Sequence, residues 1–262
     1  MGVKGAALAT VLAQGISGLC CLWYIGKRFP ILRGTKEEWK PLPKYMIRLC
    51  AVGIPMGMQY SITAIGTLVI QAAVNGFGST VVAGVTAATK LGNFVSCPIE
   101  ALGQTMAPYV GQNMGAGNTE RAKKTFHYSL KMCTLFLLIL GFIFSRRPVS
   151  QTMVSFFSTD AKVIPLAADY LSIIAFWCFT NAFYNVSQGL FQGCGHTLIT
   201  MLVDASRIWI FRLLSLWICA NVFHMGVASV WYSVVISNGT SAIILYLLYW
   251  TGIWKKGYAD PL

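Results

Sequence analysis

Seven long apolar runs alternate with short polar ones along the 262 residues of this chain. They cover approximately 5–25, 49–74, 81–104, 126–145, 163–191, 198–220 and 227–250. Each is long enough to cross a hydrocarbon core ~30 Å thick, which takes about 20 helical residues. The runs are apolar on all sides, so periodicity does not separate helix from strand. Length does, because a spanning strand needs only about ten residues and alternates in polarity. The pattern predicts an all-α multi-pass membrane protein with about seven transmembrane helices, the third and fifth projecting beyond the bilayer. Pro55 and Pro98 fall inside two of them and predict kinks.

Composition agrees with lipid as the solvent. Charged residues make up 11% of the chain and the mean hydropathy is +0.62, whereas a soluble domain carries roughly 25% charged residues. The net charge of +12 does not point to nucleic acid, because the bases gather in short loops and no long basic helix or aromatic platform occurs. One set of loops holds 12 of them: Lys27, Arg28, Arg33, Lys36, Lys40, Lys44, Arg48, Arg121, Lys123, Lys124, Lys255 and Lys256. The opposite set holds 4: Lys4, Arg146, Arg147 and Lys162. The positive-inside rule puts the richer side, with the C-terminus, in the cytoplasm of a cell that carries the protein in its plasma (inner) membrane. Basic residues follow the first run instead of preceding it and no A-x-A site closes it, so it does not read as a signal peptide.

Residues 1–25 then form one helix, 26–48 a linker, 49–250 a six-helix lobe and 251–262 a tail. The linker, with its prolines, bases and Trp39, is expected to rest on the anionic inner membrane face. The first and last runs share a pattern. Met1, Gly2, Val3, Val11, Gly15 and Ser17 recur as Met225, Gly226, Val227, Val235, Gly239 and Ser241. Both copies end in aromatic and then basic residues. Two such helices read as the closing helices of two lobes, the first belonging to a lobe whose body lies upstream of Met1.

Residue types for catalysis or metal binding are missing in any useful pattern. Eight cysteines form no CxxC pair and three histidines show no ligand spacing. Cys194-Gly195-His196 reads as a cysteine in a tight turn beside an exposed histidine. No nucleophile triad or phosphate loop stands out. The chain is therefore not read as an enzyme, and no catalytic residue, metal or cofactor is assigned.

Pro108 to Lys124 read PYVGQNMGAGNTERAKK, a polar glycine-rich turn after a long apolar helix. It resembles the turn between helices eight and nine of the multidrug and toxic compound extrusion (MATE) family. MGVKGAALAT at 1–10, Gly53-Ile54-Pro55 ahead of Gln59, and QGLFQGCG at 188–195 resemble the starts of the family's sixth and seventh helices and the end of its tenth. The resemblance implies a six-helix MATE-type lobe plus one helix of a missing N-terminal lobe. It also implies export of drugs or organic cations in exchange for H+ or Na+. In the family's sodium-linked branch the positions of Thr63 and Asn181 are acids; here both are neutral.

Polar groups inside spans are expensive unless they face protein or water. Gln59 and Thr63 share a helical face, as do Gln71 and Asn75. Asn181, Asn185, Gln188 and Gln192 form a stripe with spacings of four, three and four. The stripes read as the lining of a substrate cleft. The alternative is hydrogen bonding between helices. Charges within the runs are Lys90, Glu100, Lys131, Asp169, Asp204, Arg207 and Arg212. At 1.5 Å per residue, Glu100, Lys131, Asp204 and Arg207 fall within roughly 10 Å of the cytoplasmic boundary. Two acids beside two bases favour charge pairs that hold helices together, with an ion relay as the other reading.

Three functions remain: a drug/cation antiporter, a lipid-precursor flippase of similar fold, and a product without transport activity of its own. A flippase needs a basic cleft, and Lys90 and Arg212 are the only bases near mid-depth. The antiporter reading comes first, with the coupling acid expected upstream of Met1.

The topology has a direct test. On a Cys-free background, Asn118→Cys is expected to react with an impermeant maleimide only from the cytoplasmic side. Labelling from outside would overturn the assigned orientation.

Overall fold

The structure, a computed structural model, describes residues 2–29, 40, 42–144, 146–155 and 163–256. The body of the predicted linker, Met1, the end of the loop before 163 and the last six residues lie outside that set. The described elements are helices: α1 (Gly2–Arg28), α2 (Pro43–Asn75), α3 (Ser79–Gly115), α4 (Thr119–Phe144), α5 (Arg147–Ser155), α6 (Val163–Gly193), α7 (Thr197–Ala205), a π segment (Ser206–Arg212), α8 (Leu213–Asn221), α9 (Ala228–Trp250) and a 3-10 turn (Ile253–Lys256).

All seven predicted runs are helical. Four stretches are by themselves long and apolar enough to cross a membrane: Ala7–Arg28, Pro43–Asn75, Thr119–Ile143 and Ala228–Trp250. Two details differ from the prediction. The run 198–220 is three pieces, because a π segment interrupts it. Such wide turns mark places where side chains are re-aimed, and this one carries Arg207 and Arg212. The basic loop after α4 begins with a short helix, α5, which buries Ser150 and Val154 and exposes its other side.

The chain divides into two compact units, Met1–Cys50 and Ala51–Leu262. In the first, α1 is apolar all round, and Leu8, Val11, Ile16, Leu19 and Trp23 are exposed. In the second, α6 is the hub, packed against α3, α4, α5, α7 and α9.

Small residues explain the closest of these contacts. Gly103, Ala107 and Gly111 recur every fourth residue along α3, and Asn185, Gly189 and Gly193 do so along α6. A Cβ on Gly189 would stand 2.2 Å from the Gly103 carbonyl oxygen, and one on Gly193 would stand 2.6 Å from that of Ala107. The two backbones touch, the arrangement small residues at fourfold spacing permit in membranes.

Two tight turns set the neighbouring helices. Gly117 (φ 74) ends α3, with Asn118 N–H donating to the Asn113 carbonyl at 2.8 Å. Gly195 (φ 85) follows α6, with His196 N–H donating to the Phe191 carbonyl at 2.9 Å. This 6→1 closure needs a left-handed residue, which glycine supplies without strain.

Two apolar cores fill the unit. One joins Met106, Val110, Phe126, Leu137, Leu190, Phe191, Leu245 and Trp254. The other joins Val74, Leu91, Val154, Leu171, Leu216 and Trp231.

The backbone contact predicts a sharp contrast. Gly189→Ala is expected to destabilise the unit by about 1–3 kcal/mol or more through overpacking. Gly239→Ala, whose Cβ meets nothing within 4 Å, is expected to be neutral or mildly stabilising. Thermal melts in detergent compare them; similar melting points for both variants would refute the close α3–α6 contact.

Candidate functional site

Beside the first of these cores, α2, α3, α6, α7 and the π segment leave a polar cavity of about 230 Å³. Gln59, Tyr60 and Thr63 line it from α2, Glu100, Gly103 and Gln104 from α3, and Tyr184, Asn185, Gln188, Gly189 and Gln192 from α6. Asp204 and Arg207 close it. Glycines contribute twice, because the α3–α6 approach at Gly103 and Gly189 brings both helices to one wall.

Asp204 is the electrostatic centre. Its side chain is 6% exposed and that of Arg207 14%. Oδ1 accepts from Arg207 Nη2 at 2.6 Å, Arg207 Nε at 2.8 Å and the Tyr184 hydroxyl at 2.6 Å. Oδ2 accepts from the Thr63 hydroxyl at 2.8 Å and the Gln59 amide at 3.3 Å. A carboxylate taken out of water needs this many donors, because pairing with a single base does not repay its desolvation. The guanidinium stands 4.9 Å from the Tyr184 ring centre, a cation–π contact. Its Nη1 donates to Asn238 Oδ1 on α9 at 3.3 Å. One acid thus ties α2, α6, the π segment and α9 together. Arg212 adds a second tie, with Nε donating to Ser237 Oγ at 3.2 Å.

Gln59 has a further property. Its amide nitrogen serves Asp204, while its Oε1 is buried with no hydrogen-bond partner among the described residues. That oxygen is an acceptor held at the cavity wall.

The structure sorts the residues singled out from sequence. Gln59, Thr63, Asn185, Gln188, Glu100, Asp204 and Arg207 meet at this one cavity. Asn181 lies one turn along α6, where its Oδ1 and carbonyl accept from the Asn185 amide at 3.0 and 2.9 Å. Gln71 donates to Asn75 at 3.0 Å on an exposed face of α2, and neither residue lines the cavity. Lys90, Glu100 and Lys131 are exposed, and Asp169 is half-buried. The expected pairing of two acids with two bases is corrected in part: Asp204 pairs with Arg207, while among the described residues Glu100 and Lys131 form no ion pair. They lie on different helices, and sequence depth alone does not give their facing.

Tyr184 and Gln104 were not singled out, although spacing marks both. Tyr184 stands three residues after Asn181 and four before Gln188, and Gln104 stands four after Glu100. Cys194 is fully buried, and burial pushes its thiol up to about 12. His196 is not exposed as expected. It is half-buried, and its Nε2 lies 3.0 Å from the Ile253 carbonyl. Among the described residues no group of side chains is arranged to hold a metal ion.

Comparison with known proteins follows the same outline. The family model described as MatE matches residues 55–218. A probable multidrug resistance protein of Bacillus subtilis, YpnP, is 27% identical over 267 residues, covering 97% of this chain and 56% of its own length. The probable multidrug resistance protein NorM of Thermotoga maritima is 23% identical over 258 residues, covering 98% and 54%. The chain spans about half the length of these curated relatives. An outward-facing multidrug resistance MATE family transporter of the MOP superfamily superposes with a TM-score of 0.86 at 21% identity, over 98% of this chain and 58% of that one. The fold is the all-α multi-pass fold of that structure.

The Asp204 cluster predicts a ranking. Asp204→Asn leaves Arg207 buried without its counter-charge and is expected to lose about 3–5 kcal/mol. Thr63→Val removes one hydrogen bond to a charged group and is expected to lose about 1.5–3 kcal/mol. Unfolding titrations in mixed micelles measure both. A Thr63→Val protein as stable as the parent would show that the contact does not hold α2.

Proposed function

The chain belongs to the MATE family, and from that premise we propose that it supplies one lobe of a secondary multidrug efflux antiporter. Such a protein exports drugs or organic cations in exchange for H+ or Na+, by alternating access at a cleft between two lobes. It would sit in the plasma (inner) membrane with its C-terminus in the cytoplasm. The observation that carries the reading is the charge of the cavity. Among the described lining residues two carboxylates, Glu100 and Asp204, face one guanidinium, Arg207. Asp204 is committed to Arg207. Glu100 is exposed at the wall and remains to attract a cation. The amides of Gln59, Gln104, Asn185 and Gln188 surround it with donors and acceptors that suit varied polar substituents.

Tyr60 lines the same cavity and is 71% exposed, so the cavity is open on the α2 side. We assign that side to a second lobe, which fits relatives about twice as long. Coupling is assigned there too. Thr63 and Asn181 carry no charge, so neither balances a dehydrated cation, and their amide and hydroxyl do not titrate near neutral pH. Asp204 reaches the Thr63 hydroxyl, but Arg207 already neutralises it.

The test is uptake of a fluorescent organic cation into vesicles under an imposed H+ or Na+ gradient. The chain is assayed alone and joined to an N-terminal MATE lobe. Transport is expected only in the joined form. There Glu100→Gln is expected to raise KM for the cation about five-fold, the effect of a ~1 kcal/mol charge contact. Gradient-driven transport by the 262-residue chain alone, lost in Glu100→Gln or Asp204→Asn, would place the coupling acid in this lobe and overturn the proposal.

A further inference from the structure

A second pocket, of about 320 Å³, opens where α4 begins and α9 ends. It lies among the loops in which the sequence concentrates its basic residues, and it is separate from the polar cavity. Lys123 and His127 line it from α4, and Tyr249, Trp250, Trp254 and Lys255 from the end of α9 and the turn after it.

Its floor is rigid. Phe126 stacks on Tyr249 at 4.8 Å, and Tyr249 stacks on Trp254 at 5.6 Å with the rings 3° from parallel. Trp254 is 2% exposed. Gly252, with φ 74, turns the chain so that Trp254 folds beneath Tyr249. The His196 Nε2 contact to the Ile253 carbonyl, 3.0 Å, pins that turn from the far side.

Its rim is basic. Lys255 Nζ lies 5.7 Å from the Trp254 ring centre. Lys123 is half-buried and Lys255 exposed. His127 Nδ1 is 2.8 Å from the Lys123 carbonyl. A carbonyl only accepts, so Nδ1 donates its proton to it and this bond holds the ring at the pocket edge. Of the neighbouring charges, Glu120 lies outside the lining but close enough for its carboxylate to act on Tyr249. Arg121 Nε donates to the Tyr109 hydroxyl at 3.0 Å. Lys124 is not among the lining residues. Two ammonium groups over an aromatic floor, with no acid in the described lining, complement a phosphate-sized anion.

Trp250 distinguishes a lipid from a soluble anion. It borders the pocket and is 70% exposed at the end of an apolar helix, the position of interfacial aromatic anchors. An anion seated here lies at headgroup depth, with acyl chains against Trp250. We infer that this pocket binds the phosphate of an anionic phospholipid and so clamps the start of α4 to the end of α9. The inference rests on the pocket and the membrane fold, not on the transport proposal.

The experiment places the full chain in phosphatidylcholine nanodiscs doped with increasing phosphatidylglycerol. Retained lipid is counted by native mass spectrometry after mild release. Phosphatidylglycerol is expected to be retained over phosphatidylcholine. Lys123→Gln and Lys255→Gln are each expected to raise the half-saturating fraction about five-fold, the usual weight of one lysine near an anionic surface. Lys124→Gln, an exposed base outside the pocket, is expected to leave it unchanged and serves as the control for surface charge. All three replace surface-accessible side chains, so folding should survive, and the melting point checks it. An equal effect of Lys124→Gln, or equal retention of the two lipids, would overturn the proposal. Displacement of phosphatidylglycerol by millimolar inorganic phosphate would reassign the site to a soluble anion and overturn the lipid reading.

Discussion

A carboxylate buried in a membrane protein sets the terms for everything around it. Asp204 is 4% exposed, and an ion so placed is tolerated only with a counter-charge and donors on every lone pair. Here those donors come from elements far apart in the chain: Gln59 and Thr63 on α2, Tyr184 on α6 and Arg207 on the π segment. Moving any one of these helices strips a partner from the charge. The cluster therefore fixes relative helix positions with a directionality that apolar packing between helices in lipid lacks.

The small-residue contact between α3 and α6 does complementary work. With the two backbones touching at Gly103 and Gly189, Gln104 and Asn185 border one space and Glu100 enters it from the same wall. A larger residue at either glycine would wedge the helices apart and open the cavity.

The two glycine-closed turns and the aromatic stack gather at one end of the unit. The turn at Gly195 meets the 3-10 turn through His196 and Ile253, and Trp254 joins the core that also holds Phe126 and Phe191. The end of the chain's last helix is thus part of the packed structure. The same residues that anchor it form the floor of a basic pocket, so anchoring and anion recognition share one set of rings.

Much of this was legible in the sequence. Apolar length gave the helices, the glycine-rich turn gave the family, and fourfold spacing put Gln59 with Thr63 and Asn185 with Gln188 on common faces. These are local properties, encoded by the 3.6-residue repeat and by turn chemistry. The sequence did not reveal that Gln71 and Asn75 would satisfy each other away from the cavity, or that Glu100 and Lys131 would stay apart. Nor did it show that Asp204 would take the Thr63 hydroxyl, 141 residues distant, as a partner. The Gln71–Asn75 bond is local, one turn of α2, but the other outcomes depend on how helices rotate and approach one another. A π segment that re-aims Arg207 and a glycine contact that brings α3 against α6 decided them, and both take effect only when the helices are packed together.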